Sequence, residues 1–405
     1  MISSVLLICT AFDETSGFRH PSPRRARIHR SLKSTTTPPP LETVPEPPES
    51  SSGSSSPSLP DFDSLRLSSR LSSPCPVSFP SQGSPPTASP SLPLLPPIEI
   101  YDTTLRDGAQ MEGVSLSVSD KLRVASALAE FGVDRIEGGF AGSNGKDERF
   151  FEEVYKEGGE GEWGHLRDKL VCFGSTRYKN VPVEEDKGLK ALVDCKCPNV
   201  CIVAKAHSWQ VREILQCSVE ENLLMISDSI RYLREKGKRN IYVDLEHFFD
   251  GYKFDPPASS SVLDACVSAG ATHVVLCDTN GGTQPGEMRR ICGEVTARVA
   301  GCVPVGIHAH NDCGMAVANS VIAVEEGCRS VQGCVNGLGE RTGNADLTQI
   351  IPNLVFHGDD LGGCIQAADS LPRLTWLSHF IDKVVGIESS SSRPFVGISA
   401  FAHKG

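Results

Sequence analysis

No stretch of this 405-residue chain comes near the roughly 20 consecutive apolar residues that cross a bilayer, so a membrane-spanning role is not expected. Basic residues are short as well. Against 50 Asp and Glu stand 39 Lys and Arg, a formal net charge of -11, and no basic face argues for nucleic acid as a partner. The first apolar strand is not followed by a Gly-x-Gly-x-x-Gly fingerprint, which counts against a dinucleotide-binding doubly wound sheet. A disulfide framework is missing too. The 15 cysteines are odd in number and scattered over strand-like and helix-like stretches (Cys172, Cys277, Cys292, Cys334), so they read as reduced, buried thiols. Cys195, Cys197 and Cys201 resemble half of a zinc site, but no second half follows nearby.

What is present changes character near residue 97. Residues 1–97 are dense in Ser and Pro (Ser51 to Ser56, Pro38 to Pro40) and lack apolar periodicity, the composition of a disordered extension. Its first 40 residues carry Arg19, Arg24, Arg25, Arg27, Arg30 and Lys33 against only Asp13 and Glu14. That Arg-rich, Ser-rich, acid-poor start reads as a transit peptide, with a plastid as the expected destination and mitochondrion or cytoplasm as alternatives.

From residue 98 short apolar runs alternate with amphipathic stretches. The expected strands are 98–102, 135–138, 170–174, 200–204, 241–245, 274–277, 305–308 and 331–335. Between them lie helical patterns such as 119–131, where Leu122, Ala125, Leu128 and Ala129 share a face, with Gly132, Gly237, Gly270 and Gly327 as stops. Eight strand–helix units in about 260 residues predict an α/β fold, a (β/α)8 TIM barrel over 98–360. Residues 361–405 then read as the start of a helical subdomain cut short.

In such barrels the active groups gather at the carboxyl ends of the strands. Chemically competent residues fall there repeatedly. Arg106 and Asp107 end the first strand, Glu246 follows the fifth, Thr279 the sixth, His308 and His310 end the seventh, and a Gly-rich loop with Gly339 and Asn344 follows the eighth. Two imidazoles at i and i+2 of a strand share a face, and with a carboxylate they make a first shell for a divalent metal. Asp107 alone reads more commonly as a turn aspartate, and Asn344 nearly as well as a turn Asn; beside the histidines Asp107 becomes the anionic metal ligand and Asn344 a weaker carbonyl ligand. Mg²⁺, Mn²⁺ and Zn²⁺ all suit that donor set. Arg106 offers a charged fork to a carbonyl or carboxylate, or braces the mouth by an ion pair with Glu340. Glu246 is a candidate general base.

Five segments are collinear over 98–405: Asp102 to Gln110 (DTTLRDGAQ), Glu246 to Lys253 (EHFFDGYK), Asp278 to Thr283 (DTNGGT), His308 to Asp312 (HAHND) and Asn336 to Ala345 (NGLGERTGNA). Together they resemble the acetyl-CoA-dependent 2-keto-acid Claisen condensing enzymes, namely the 2-isopropylmalate, homocitrate and citramalate synthases. The EHFFDGYK and Gly142-Ser143-Asn144 segments look most like the citramalate branch, which joins pyruvate to acetyl-CoA on the way to isoleucine.

The resemblance implies metal ligation by Asp107, His308, His310 and Asn344, alkoxide stabilisation by Arg106, and a carboxylate contact from Thr279. It also implies proton removal by Glu246 and a homodimer when full length. Two departures stand out. Gly138-Gly139-Phe140-Ala141-Gly142-Ser143 replaces the family's Gly-Gly-Trp-Pro-Gly-Ser. Phe401 to Gly405 resembles the start of a Phe-x-His-Lys-x-Gly-x-His segment whose second histidine carries the proton-transfer role; that histidine falls past Gly405, and His403 is not given the role. The end-product-binding regulatory domain is expected to be missing, so a truncated, non-catalytic paralogue is an alternative, as is a sister synthase using another 2-keto acid.

Overall fold

The computed structural model describes residues 97–403, apart from 141, 144, 157–160 and 357–364. The Ser/Pro-rich extension other than Pro97 lies outside the described residues, as do Ala141, Asn144, Lys404, Gly405 and the expected boundary at 360/361.

Eight parallel strands close in sequence order, with the last pairing back on the first. They are β1 (Glu99–Asp102), β2 (Arg135–Phe140), β3 (Leu170–Ser175), β4 (Asn199–Lys205), β5 (Asn240–Glu246), β6 (His273–Asp278), β7 (Val305–Ala309) and β8 (Ser330–Gly333). The principal outer helices are α1 (Val118–Phe131), α2 (Gly145–Val154), α3 (Lys187–Asp194), α4 (Ser208–Glu213), α5 (Val219–Glu235), α6 (Phe248–Phe254), α7 (Pro256–Ala269), α8 (Pro285–Val299), α9 (Ala316–Glu325), α10 (Leu347–Phe356) and α11 (Leu374–Val385). The barrel expected from the sequence is therefore the fold.

Local chemistry sets the helix ends. A reciprocal Ser117–Asp120 capping box starts α1, and Gly132 ends it in the left-handed conformation (φ 102°) that a side chain would disfavour. Asp255 caps α7 ahead of Pro256, and Gly270 closes it in the same way.

The eighth strand differs from expectation. It stops at Gly333, and Val335–Gly337 forms a short 3-10 turn with Asn336 in the left-handed region. The returning chain takes over its backbone: the Cys334 N–H donates to Ala345 O (3.0 Å), and the Leu347 N–H donates to Cys334 O (2.9 Å). A Cβ on Gly333 would lie 2.5 Å from Ala345 O, so only glycine admits this approach.

Burial follows the two-residue period of a strand. On β5, Ile241, Val243 and Leu245 pack against the helices, which turns Tyr242, Asp244 and Glu246 to the lumen. On β7, Val305, Ile307 and Ala309 pack outward, leaving His308 inward. Each outward Ile, Leu or Val contributes roughly 1.5–3 kcal/mol by leaving water. The same alternation places polar side chains inside the barrel.

One buried ion pair ties the mouth to the helical ring. Lys121 on α1 contacts the Asp147 carboxylate and donates to Gly138 O (2.9 Å), while Asp147 accepts the Phe140 N–H (3.0 Å). A Cβ on Gly139 would lie 2.5 Å from the Asp147 carboxyl carbon, so Gly139 makes room for this clamp, while Gly138 makes room for the Phe150 ring. Lys121→Met removes the buried cation that faces Asp147 and is expected to cost about 3–5 kcal/mol in urea unfolding. A loss below about 1 kcal/mol, the range of an exposed pair, would show that the clamp does not hold the β2–α2 turn.

Candidate active site

The turn after β1 is built by its own side chains. The Asp102 carboxylate accepts the Thr104 N–H (2.9 Å) and hydroxyl (2.8 Å), and the Thr103 carbonyl accepts the N–H groups of Arg106 (3.1 Å), Asp107 (2.9 Å) and Gly108 (3.0 Å). That curl presents Arg106 and Asp107 at the mouth. Burial raises the Asp102 carboxyl to about 7, against the two threonine hydrogen bonds.

Asp107 meets the two histidines of β7 and its C-terminal edge. Asp107 Oδ2 lies 3.2 Å from His308 Nε2, and the two Nε2 atoms of His308 and His310 lie 3.4 Å apart. One donor atom from each of the three residues falls within 4.8 Å of the others, and all three residues are buried. Among the described residues no other group of His, Cys, Asp and Glu does this.

Burial alone would raise the Asp107 carboxyl, but Arg106 and His308 hold it well below the usual carboxylate range. Burial works against charge on His308, yet Asp107 and Asp244 lift it. His310 is pushed down to about 3 by burial and by its neighbour His308. The arrangement is thus an anion, a ring drawn towards protonation and a neutral ring.

A divalent cation fits these donors. Two imidazole nitrogens 3.4 Å apart beside a carboxylate oxygen group three donor atoms of the kind a divalent cation takes. Asn344 Oδ1 is buried with no hydrogen-bond partner, a carbonyl oxygen free to ligate, while Asn344 Nδ2 contacts Cys334 Sγ (3.3 Å). His310 and Asn344 are joined by an isolated β-bridge. Gly339 packs on that carboxamide: a Cβ there would lie 2.9 Å from Asn344 Nδ2.

Arg106 differs from expectation in its partner. It bonds Glu137, not Glu340, through Nε to Oε2 (2.5 Å), and its guanidinium lies 4.1 Å from the centre of the Phe173 ring. Glu137 is fully buried on the inward face of β2, next to β1, and also accepts the Tyr101 hydroxyl (2.8 Å). Arg106 Nη1 then lies 3.5 Å from Asp107 Oδ2.

Glu246 is the last residue of β5 rather than the residue after it, and its side chain is 27% exposed. It pairs with Lys205, its partner in the β4–β5 register, and His247 Nε2 lies 4.0 Å away. The Thr279 hydroxyl accepts the His247 N–H (2.9 Å), which leaves its own proton to donate outward. Arg341 donates to Thr279 O (2.7 Å) and pairs with Asp312, tying the loops after β6, β7 and β8.

Four polar groups of the lumen were not singled out from sequence: Tyr101, Glu137, Asp244 and Gln332. Each sits at an inward position of a strand directly after an outward apolar residue (Ile100, Ile136, Val243, Val331), and that parity is the signal that reveals them.

A family profile described as HMGL-like matches residues 97–380. The chain is 46% identical to the (R)-citramalate synthase of Aquifex aeolicus over 308 residues, covering 76% of this chain and 56% of that one. It is also 46% identical to the (R)-citramalate synthase of Synechocystis sp. over 316 residues, with 76% and 55% covered. This chain therefore spans little more than half the length of these curated relatives. Among solved structures, hydroxymethylglutaryl-CoA lyase from Pseudomonas aeruginosa superposes with a TM-score of 0.57 at 24% identity, covering 74% of this chain and 96% of that one. At that identity the likeness is one of fold.

The geometry predicts that His310→Ala and Asp107→Asn each weaken Mn²⁺ binding by more than the roughly 10–100-fold typical of losing an outer partner of a metal ligand. Electron paramagnetic resonance of free Mn²⁺ measures this. Wild-type affinity in either variant would remove that residue from the cation site.

Proposed function

The chain belongs to the HMGL-like family, and we propose that it condenses acetyl-CoA with pyruvate to (R)-citramalate and CoA, using a divalent cation, Mn²⁺ or Mg²⁺, with Zn²⁺ as the alternative. The observation that carries this reading is the convergence of Asp107, His308 and His310 beside a guanidinium, in a chain 46% identical to citramalate synthases over most of its barrel. Asp107, His308 and His310 would hold the cation, with Asn344 as a fourth ligand. Bound there, it would supply Lewis acidity to the keto group.

The protein's own groups account for the rest. Arg106, anchored through Nε by Glu137 and with Nη1 3.5 Å from Asp107, offers its guanidinium to the oxygen that becomes an alkoxide when C2 is attacked. Thr279, its hydroxyl already accepting a backbone N–H, donates its proton to the keto-acid carboxylate. Glu246 takes a methyl proton from acetyl-CoA, whose carbanion attacks C2. Lys205 beside it pairs with the Glu246 carboxylate. Water then cleaves the thioester and releases CoA.

The Arg-rich, acid-poor character of the first 40 residues supports a plastid destination. A fluorescent fusion of residues 1–97 is expected to enter plastids, and a diffuse cytoplasmic signal would sink that proposal.

CoA thiol release tests the reaction. Wild-type chain with Mn²⁺ and acetyl-CoA is expected to release CoA with pyruvate and far more slowly with 2-ketoisovalerate; the reverse preference would point to a 2-isopropylmalate-type reaction. Glu246→Gln is expected to lower kcat about 10²–10⁴-fold with little change in KM for pyruvate. Unchanged turnover would take Glu246 out of proton removal.

A further inference from the structure

Gln332 spans the barrel interior. It is fully buried on β8, with Val331 packed outward and its own side chain directed into the lumen. Its Nε2 donates to Asp244 Oδ1 (2.9 Å) on β5, across the barrel. Its Oε1 lies 2.7 Å from His308 Nδ1. A carbonyl oxygen only accepts, so this contact puts the ring proton on Nδ1. Nε2, which faces Asp107 Oδ2 (3.2 Å) and His310 Nε2 (3.4 Å), is then the nitrogen that a cation would take in place of a proton.

A carboxamide can reverse, and reversal here would be costly to the site. The amide oxygen would then face the Asp244 carboxylate, and the NH₂ would face Nδ1 and drive the ring proton to Nε2, among the metal donors. The Asp244 carboxyl, whose Oδ1 accepts the Gln332 Nε2 hydrogen bond (2.9 Å), opposes this reversal. A polar pair in a barrel core, where apolar layers are the usual filling, needs a reason beyond packing.

We infer that Asp244 and Gln332 are positioning residues: the carboxylate orients the amide, and the amide holds His308 in the tautomer that presents Nε2 to a cation. This rests on the metal-dependent reading above.

The test is Mn²⁺ affinity of the full chain, read from the resonance of free Mn²⁺, with metal-free thermal unfolding as a control. Wild type must bind; if it does not, the metal reading fails and takes this inference with it. Given wild-type binding, Gln332→Met, close in size but without hydrogen bonds, is expected to bind about 10–100-fold more weakly. The exchange Gln332→Glu with Asp244→Asn keeps an acceptor against His308 and a donor behind it, and is expected to recover most of that loss. If Gln332→Met does not fold, Asp244→Asn gives the readout: an amide there no longer dictates which way Gln332 faces, and affinity should fall by a smaller factor. Wild-type affinity in the folded single variants, or an exchange variant no better than Gln332→Met, would overturn the inference.

Discussion

A guanidinium cannot shed its charge at any accessible pH, so a barrel that brings Arg106 over its lumen has to bring a carboxylate to meet it. Glu137 does so at 2.5 Å from the neighbouring strand. Burial pushes the Glu137 carboxyl up, and Arg106 opposes that shift. With Nε held and one face against Phe173, the remaining nitrogens have few directions left, and Nη1 comes to 3.5 Å from Asp107. The cationic side of the mouth is therefore set from inside the barrel rather than by a loop.

That anchor is the upper end of a polar column. Below it the Tyr101 hydroxyl bonds Glu137, and the Tyr101 ring meets Tyr242 edge-on at 5.1 Å. The Tyr242 hydroxyl donates to Glu99 (2.9 Å) and accepts from Arg135 (2.9 Å), and Ser330 also donates to Glu99 (3.1 Å). Barrel cores are usually filled by layers of branched apolar side chains. Replacing them with paired charges gains little net stability, because desolvation offsets attraction. What the column does provide is a fixed origin for Arg106 and, through Asp244 and Gln332, a defined face for His308.

Much of this was legible from the sequence, for a physical reason. Candidate groups gather at strand ends in this architecture, so Asp107, His308, His310 and Arg106 stood out as candidates once eight strand–helix units were counted. The structure brings Asp107 and the two histidines within 4.8 Å, although some 200 residues separate them along the chain. The lumen residues stayed hidden because the strands were read as apolar runs instead of as two faces. Tyr101, Glu137 and Asp244 alternate with Ile100, Ile136 and Val243, and parity separates them at once. Partners across the barrel are another matter. That Arg106 would meet Glu137 and not Glu340 depends on strand adjacency and side-chain reach, which no local pattern encodes.

The mouth has two halves held by different means. On one side Asp107, His308 and His310 hang from β1 and β7, and Asn344 joins them through the chain that returns past β8. On the other, Glu246 and Lys205 are cross-strand neighbours on β5 and β4. The next residue, His247, sits in the left-handed region (φ 56°), an unfavourable conformation for a side-chain-bearing residue that reverses the chain into α6. Its N–H bonds the Thr279 hydroxyl, so β5 and β6 are locked at the level where the candidate base and the candidate carboxylate contact stand. Arg341 then reaches from the loop after β8 to the Thr279 carbonyl and to Asp312, joining the two halves. Under the proposed condensation, the carbon that loses a proton and the carbon that is attacked belong to different substrates. Their separation is then governed by strand register and by this arginine, and not by the placement of any one long side chain.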